Sequence, residues 1–239
     1  MKKIIFLFFF IMCVISCNNY PKKEHQKLFF IIGNTNDFAD NTKVFLKKQE
    51  NNTISLIDST QIINDRFKFS GIIEKPSVFG IYIDSLKGQI GLFLENDSVL
   101  IDVNQNNLSK SKITGSKLNN QYLDYIKRSN QILSKTNLLY PLFQKARAEN
   151  DAEKLNEINA KMKAINAENV QFSLDYAKKY SNSYIAAFIL QSLLNDESIH
   201  KDTIASIYNN FSYEVKKSDF AMETLIFIEN KNKLDDIKN

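Results

Sequence analysis

Side chains able to do covalent, metal or redox chemistry are few in this chain of 239 residues, and they lie far apart. The only two cysteines, Cys13 and Cys17, both fall near the N-terminus. The two histidines, His25 and His200, offer no zinc-type ligand spacing, and each sits among polar residues as a solvated side chain would. There is no G-x-S-x-G elbow and no glycine-rich phosphate loop. The triplet I-D-S occurs twice, at Ile57–Ser59 and Ile83–Ser85. Asp and Ser close turns through local backbone hydrogen bonds, so both triplets read as strand ends rather than parts of a hydrolase. No carboxylate spacing demands a general acid–base pair. No catalytic residue, cofactor site or metal site is therefore assigned, and none of these residues marks the chain as an enzyme.

Cys17 has a different kind of context. Lys2 and Lys3 open the chain, Ile4 to Val14 is almost unbroken hydrocarbon, and V-I-S-C places small Ser16 directly before Cys17. The apolar run is too short for a transmembrane helix, which needs about 20 apolar residues. The A-x-A-like site of an ordinary secretory signal is absent. Cys13 follows Met12 and reads as a passive residue of the apolar run. The segment resembles the signal peptide and lipobox of bacterial lipoproteins. That resemblance implies a leader over residues 1–17, with Cys17 as the first mature residue. It also implies a diacylglyceryl group on the Cys17 sulfur and an acyl group on the new amino terminus. Several chains make such an attachment stable where one would not. Asn18 stands where aspartate favours retention in the inner membrane, so the expected location is extracytoplasmic, lipid-anchored in a Gram-negative envelope, at the outer membrane rather than the inner.

Removal of the leader lowers the formal charge from +4 to +2, because Lys2 and Lys3 leave with it. The 31 basic and 27 acidic residues are nearly balanced, with no long basic patch interleaved with aromatics, which argues against nucleic acid as a partner. Lys22 and Lys23 stand close enough to the lipid to touch anionic headgroups, though a solvated tether accounts for them as well. With Cys13 removed and Cys17 lipidated, the mature chain holds no free thiol, disulfide or C-x-x-C pair. The 18 Phe and 10 Tyr are expected chiefly in a core.

The elements behind these residues fall into two kinds. Residues 18–27 are polar and read as a tether. Residues 28–115 show short apolar or alternating runs between turn signals. Strands are predicted at Leu28–Ile32, Lys43–Lys47, Thr53–Ile57, Gln61–Ile63, Arg66–Ile73, Ser77–Ile83, Gln89–Leu94, Ser98–Val103 and Lys112–Thr114. R-F-K-F places Phe67 and Phe69 on one face. E-N-D-S, between Leu94 and Val99, fits a tight hairpin, because Asn96 and Asp97 tolerate positive φ. Many short strands at this spacing predict a β-sandwich.

The period changes at T-G-S. Ser116 is a helix cap, and Leu118, Tyr122, Tyr125, Ile126, Ser129 and Leu133 recur at helical spacing. Pro141 stands near the start of the next helical run. N-D-A-E at Asn150–Glu153 has the capping-box form. Leu155, Ile158, Met162, Ile165, Asn169, Phe172 and Tyr176 then make a heptad-like seam with Asn169 at a core-type position. An intermolecular coiled coil would use that seam. At about three heptads it is short for one, so a hairpin within the chain is favoured. Further helices are predicted at Ser183–Leu194, Asp202–Phe211 and about Ser218–Lys231, followed by a polar, fraying end. Residues 116–239 are thus read as an α-helical region.

The order of motifs carries a second resemblance. L-I-D-S-T-Q-I-I-N-D-R-F-K-F-S-G at Leu56–Gly71 is followed by P-S-V-F-G-I-Y-I, by L-F-L-E-N-D-S-V-L-I-D-V, and by I-T-G-S-K-L-N-N-Q-Y at Ile113–Tyr122. Together they resemble a β-rich domain of unknown function in envelope lipoproteins of Gram-negative bacteria. That domain commonly precedes a thioredoxin-like thiol–disulfide interchange domain. S-N-S-Y-I-A-A at Ser181–Ala187 is similar to the connector between the two. A thioredoxin-like domain needs W-C-x-x-C, and this sequence has neither Trp nor such a pair. The resemblance therefore implies a fold and no catalytic residue.

The expectation is an α+β protein, an antiparallel β-sandwich followed by a helical hairpin region. Its expected function is that of a lipid-anchored, non-catalytic binding or interaction module. It would contact the membrane through its lipid and an envelope protein as partner. The alternatives are a truncated or disused relative of a thioredoxin-like interchange lipoprotein, and a hydrolase with a dispersed site.

Overall fold

The computed structural model describes residues 27–50 and 53–238, with the backbone alone described at Glu50 and residues 231–238. Cys13, Cys17, Lys22, Lys23 and His25 lie outside the described residues, as do the leader and nearly all of the tether. Eight strands form two four-stranded sheets: β1 (Phe29–Asn34), β2 (Lys43–Glu50), β3 (Thr53–Gln61), β4 (Arg66–Gly71), β5 (Ser77–Ile83), β6 (Ile90–Leu94), β7 (Ser98–Asp102) and β8 (Lys112–Thr114). The first sheet has the order β4-β1-β7-β8 and the second β3-β2-β5-β6. The sandwich read from the sequence is present, with one departure from an antiparallel pattern: β1 and β7 pair in parallel, Phe30 beside Ser98 and Ile32 beside Leu100.

Alternation explains the core. Phe29, Ile31, Phe67, Phe69, Val99 and Ile101 point inward from the first sheet, and Val44, Leu46, Phe79, Ile81 and Leu92 from the second. Phe67 and Phe69 share the inner face as their spacing predicts, with ring centroids 5.9 Å apart. Two details differ from expectation. Gln61–Ile63 is not a strand of its own. Gln61 ends β3, and Ile63 only bridges to Arg66 across Asn64 and Asp65. Both turn residues have positive φ, 50° and 57°, as a type I′ hairpin loop requires. The E-N-D-S segment is not a hairpin either, because β6 and β7 lie in different sheets. The polar tetrad carries the chain from one sheet to the other. Asn96 anchors it, accepting from the Ile73 N–H at 2.9 Å and donating to the Ile73 carbonyl at 2.7 Å.

Seven helices follow: α1 (Lys117–Leu133), α2 (Tyr140–Ala148), α3 (Ala152–Lys179), α4 (Tyr184–Ser192), α5 (Lys201–Asn209), α6 (Tyr213–Lys216) and α7 (Asp219–Lys238). Ser116 caps α1, its hydroxyl accepting from the Asn119 N–H. Asp151 caps α3, one residue later than the capping-box form suggests, because Asn150 takes the left-handed conformation at φ 53°. α7 runs to Lys238 where a fraying end is predicted, and the short α6 is not foreseen.

The seam on α3 packs inside the chain. Ile158 and Tyr176 are buried, and Ser129 on α1 donates to Asn169 at 2.8 Å. α3 lies against α1, α2 and α4. The hairpin that these contacts make is joined to a compact cluster of α4, α5 and α7 built around Ile185, Ala186, Ile189, Leu190, Ile204 and Ala221.

Candidate functional site

The two halves meet through Phe93. It belongs to β6, an edge strand of the second sheet, yet its ring is buried in the helical core. Edge strands leave backbone groups unpaired. Asn119 in the first turn of α1 fills that role for Phe93. Its Oδ1 accepts from the Phe93 N–H at 2.9 Å and its Nδ2 donates to the Phe93 carbonyl at 2.6 Å. The fully buried amide thus stands in for a neighbouring strand and docks α1 on the sheet.

Beside this joint a cleft of about 660 Å³ opens between the second sheet and helices α1, α4 and α7. Its apolar lining is an aromatic group. Phe93 lies 6.1 Å from Tyr122, 6.0 Å from Phe188 and 5.8 Å from Phe220, and Phe188 stands edge-on to Phe220 at 5.4 Å. Such edge and tilted contacts suit the quadrupoles of the rings. Tyr122, Phe188 and Phe220 line the space itself, with Val78. Burial, together with the nearby Tyr125, pushes the Tyr122 hydroxyl above the usual tyrosine range, so it remains a neutral donor or acceptor.

Polar side chains also reach the lining: Gln49, Ser77, Gln89, Gln191, Asp219 and Glu223. The two carboxylates, one turn apart on α7, are engaged. Asp219 pairs with Lys75 at 2.8 Å, and Glu223 accepts a hydrogen bond from the Gln191 amide. Gly91 forms part of the floor. A Cβ built there meets nothing within 4 Å, so any side chain at this position would project into open cleft.

The chemistry on offer is recognition: flat aromatic faces, amide donors and acceptors, and two carboxylates. The residues singled out in the sequence lie elsewhere. His200 caps α5, its exposed ring accepting from the Asp202 N–H. Asp84 directly follows β5 and accepts from the Ser85 N–H, as a strand-end triplet should. The other triplet is not at a strand end. Asp58 and Ser59 lie within β3, next to a register shift that leaves Ile57 without a partner residue on β2. Its Asp58 carboxylate accepts from the Ser59 N–H. Among the described residues no group of three or more His, Cys, Asp or Glu could hold a metal ion, and no helix is long and apolar enough to cross a membrane.

Residues 29–122 match the family described as Domain of unknown function (DUF4369). The match takes in all eight strands and the first turns of α1. The β region of the chain is therefore the part that matches that family, as the motifs from Leu56 to Tyr122 imply. No curated protein matches the chain.

Proposed function

We propose that this protein is a lipid-anchored, non-catalytic binding module of the bacterial cell envelope, tethered through Cys17 and binding its ligand in the cleft between the second sheet and the helices. The observation that carries the binding site is the cleft itself, whose lining mixes aromatic rings with amides and carboxylates. Such a mixture fits a ligand with apolar faces and many hydrogen-bonding groups, whether a glycan or an extended peptide of an envelope partner. The anchor rests on the sequence alone, on Ser16-Cys17 after a short apolar run.

The hydrolase reading survives as a second hypothesis for one reason: Asp219 and Glu223 both face the cleft. The binding reading is favoured because Lys75 and Gln191 already engage these carboxylates. Kinship with thioredoxin-like interchange lipoproteins would make this chain a relative without that chemistry, since the redox pair is missing from the sequence.

The test is photocrosslinking in living cells. A photoreactive phenylalanine analogue at Gly91 projects into the cleft, and the same analogue at exposed Lys163 serves as reference. Adducts confined to Gly91, of a mass that identifies glycan or protein, are the expected result. Identical adducts at both positions would remove the cleft as the binding site. Incorporation of a labelled fatty acid by the native chain, lost in Cys17→Ala, tests the anchor.

A further inference from the structure

The outer face of the first sheet carries apolar side chains that nothing among the described residues covers. On β1, Phe30 is 45% exposed and Ile32 38%, and on β7 Leu100 is 40% exposed. Register puts them together. One row across the sheet reads Ser70, Phe30, Ser98, and the next reads Lys68, Ile32, Leu100, Thr114. A third row reads Arg66, Asn34, Asp102, Lys112. Exposed Leu28 extends the apolar patch at the start of β1. Around it stand Arg66, Lys68 and Lys112. The one acid in these rows, Asp102, is held by the Asn34 amide at 3.0 Å. Lys27, beside Leu28, reaches Asp97.

We infer that this face, Phe30, Ile32 and Leu100 with their basic rim, lies against the lipid surface to which the protein is attached; the inference rests on the anchor proposed at Cys17. Three observations choose the membrane as occupant. The strand that carries Phe30 and Ile32 is the first after the tether. Eleven residues from Cys17 to Leu28 span at most about 40 Å, so the leading edge of β1 is held close to the bilayer. The patch joins a compact hydrocarbon centre to a basic rim, the pairing that binds interfacial surfaces through burial plus attraction to anionic headgroups. A second copy is disfavoured by the same rim, because two faces of net positive charge would meet. Docked in this way, the first sheet faces lipid, while the cleft on the far side of the sandwich, against the second sheet, faces away from it.

The chain has no Trp, so one introduced residue reports alone. Full-length protein processed in cells would be placed in phosphatidylethanolamine–phosphatidylglycerol vesicles with brominated acyl chains. Phe30→Trp and Leu100→Trp are compared with Leu138→Trp, at a side chain 78% exposed in the turn between α1 and α2. The expected result is several-fold stronger quenching at positions 30 and 100 than at 138, weakened by Lys68→Glu and by omission of phosphatidylglycerol. Equal quenching at all three positions, or none at 30 and 100 in a chain carrying labelled fatty acid, would overturn the inference. A chain without label that still shows the quenching at 30 would keep the face and discard the anchor. A chain with neither label nor quenching would discard both.

Discussion

The two cores of this molecule are made of different material. The sandwich core is hydrocarbon throughout, with Ile, Leu, Val and Phe from both sheets and no tyrosine among its buried members. The helical core adds alanine and tyrosine to its Ile, Leu and Phe, and the hydroxyls of Tyr125 and Tyr176 are bonded. The Tyr125 and Ser173 hydroxyls lie 2.9 Å apart, and Tyr176 donates to the Gln121 carbonyl at 3.2 Å. Tyr125, Phe172 and Tyr176 form one aromatic stack, with Tyr125 and Phe172 nearly parallel at 5.6 Å. The difference is one of specification. A strand face needs only hydrocarbon of suitable volume, since the ladder supplies register and polar pairing. Helices have no ladder between them, and bonded hydroxyls fix which helix meets which.

The largest effect should come from breaking the hydrocarbon core. Phe69→Ala removes a ring only 2% exposed and should cost about 3–5 kcal/mol, measured by urea unfolding. Its counterpart on the helical side is Ile158→Asp, which places a charge where a buried side chain stood. That variant should lose helical signal while the sandwich persists. A folded monomer from a native dimer would instead make the α3 seam an oligomer interface.

A smaller effect tests the joint between the cores. Asn119→Ala strips both partners from the Phe93 backbone and leaves a buried N–H and C=O unpaired. Each such group costs about 1–3 kcal/mol, so a loss of roughly 2–6 kcal/mol is expected for the two. Asn119→Asp keeps an acceptor for the N–H but sets a carboxylate against the Phe93 carbonyl, and should be no better. A loss below about 0.5 kcal/mol for Asn119→Ala would mean that Phe93 packing alone holds the halves together.

The sandwich was legible because a period of two reports directly which side chains face inward, and Phe67 and Phe69 show it. Alternation does not name a strand's partner, so the parallel pairing of β1 with β7 left no local sign. Turn chemistry was ambiguous in the same way. E-N-D-S satisfies a hairpin and an inter-sheet crossing equally, and only the Ile73 backbone meeting Asn96 decides between them. The α1 and α3 seams were legible from helical period and caps. The cleft was not, because Gln49, Gly91, Tyr122, Gln191 and Glu223 come from five elements and share no spacing. Asn119 reads as an ordinary polar residue in a first helical turn, and only the buried edge of β6 gives it a role. The outer patch was visible in principle, as Phe30 and Ile32 break the polar half of the alternation on β1.

The finest distinction between the two cores is their response to alkali. Tyr176 is raised to about 12 by burial, and burial also raises Tyr125 and Tyr122. In the unfolded chain a tyrosine ionises near about pH 10. Between pH 10 and 12 the native state therefore holds protons that the unfolded state has released, and stability must fall as pH rises through that window. Below pH 10 the contribution of these tyrosines is complete. The sandwich core has no ionisable member, so it should not share the loss. Near-ultraviolet circular dichroism separates the two, because Tyr82 is the one tyrosine placed in a strand among the described residues. The tyrosine signal should therefore disappear at lower urea at pH 10.5 than at pH 8. Tyr176→Phe should reduce that pH dependence at a small cost in stability at pH 8, where it loses only the bond to the Gln121 carbonyl. An unchanged pH dependence in Tyr176→Phe would place the alkaline sensitivity in other tyrosines, and an equal loss of strand and helix signals would show that the two cores unfold as one.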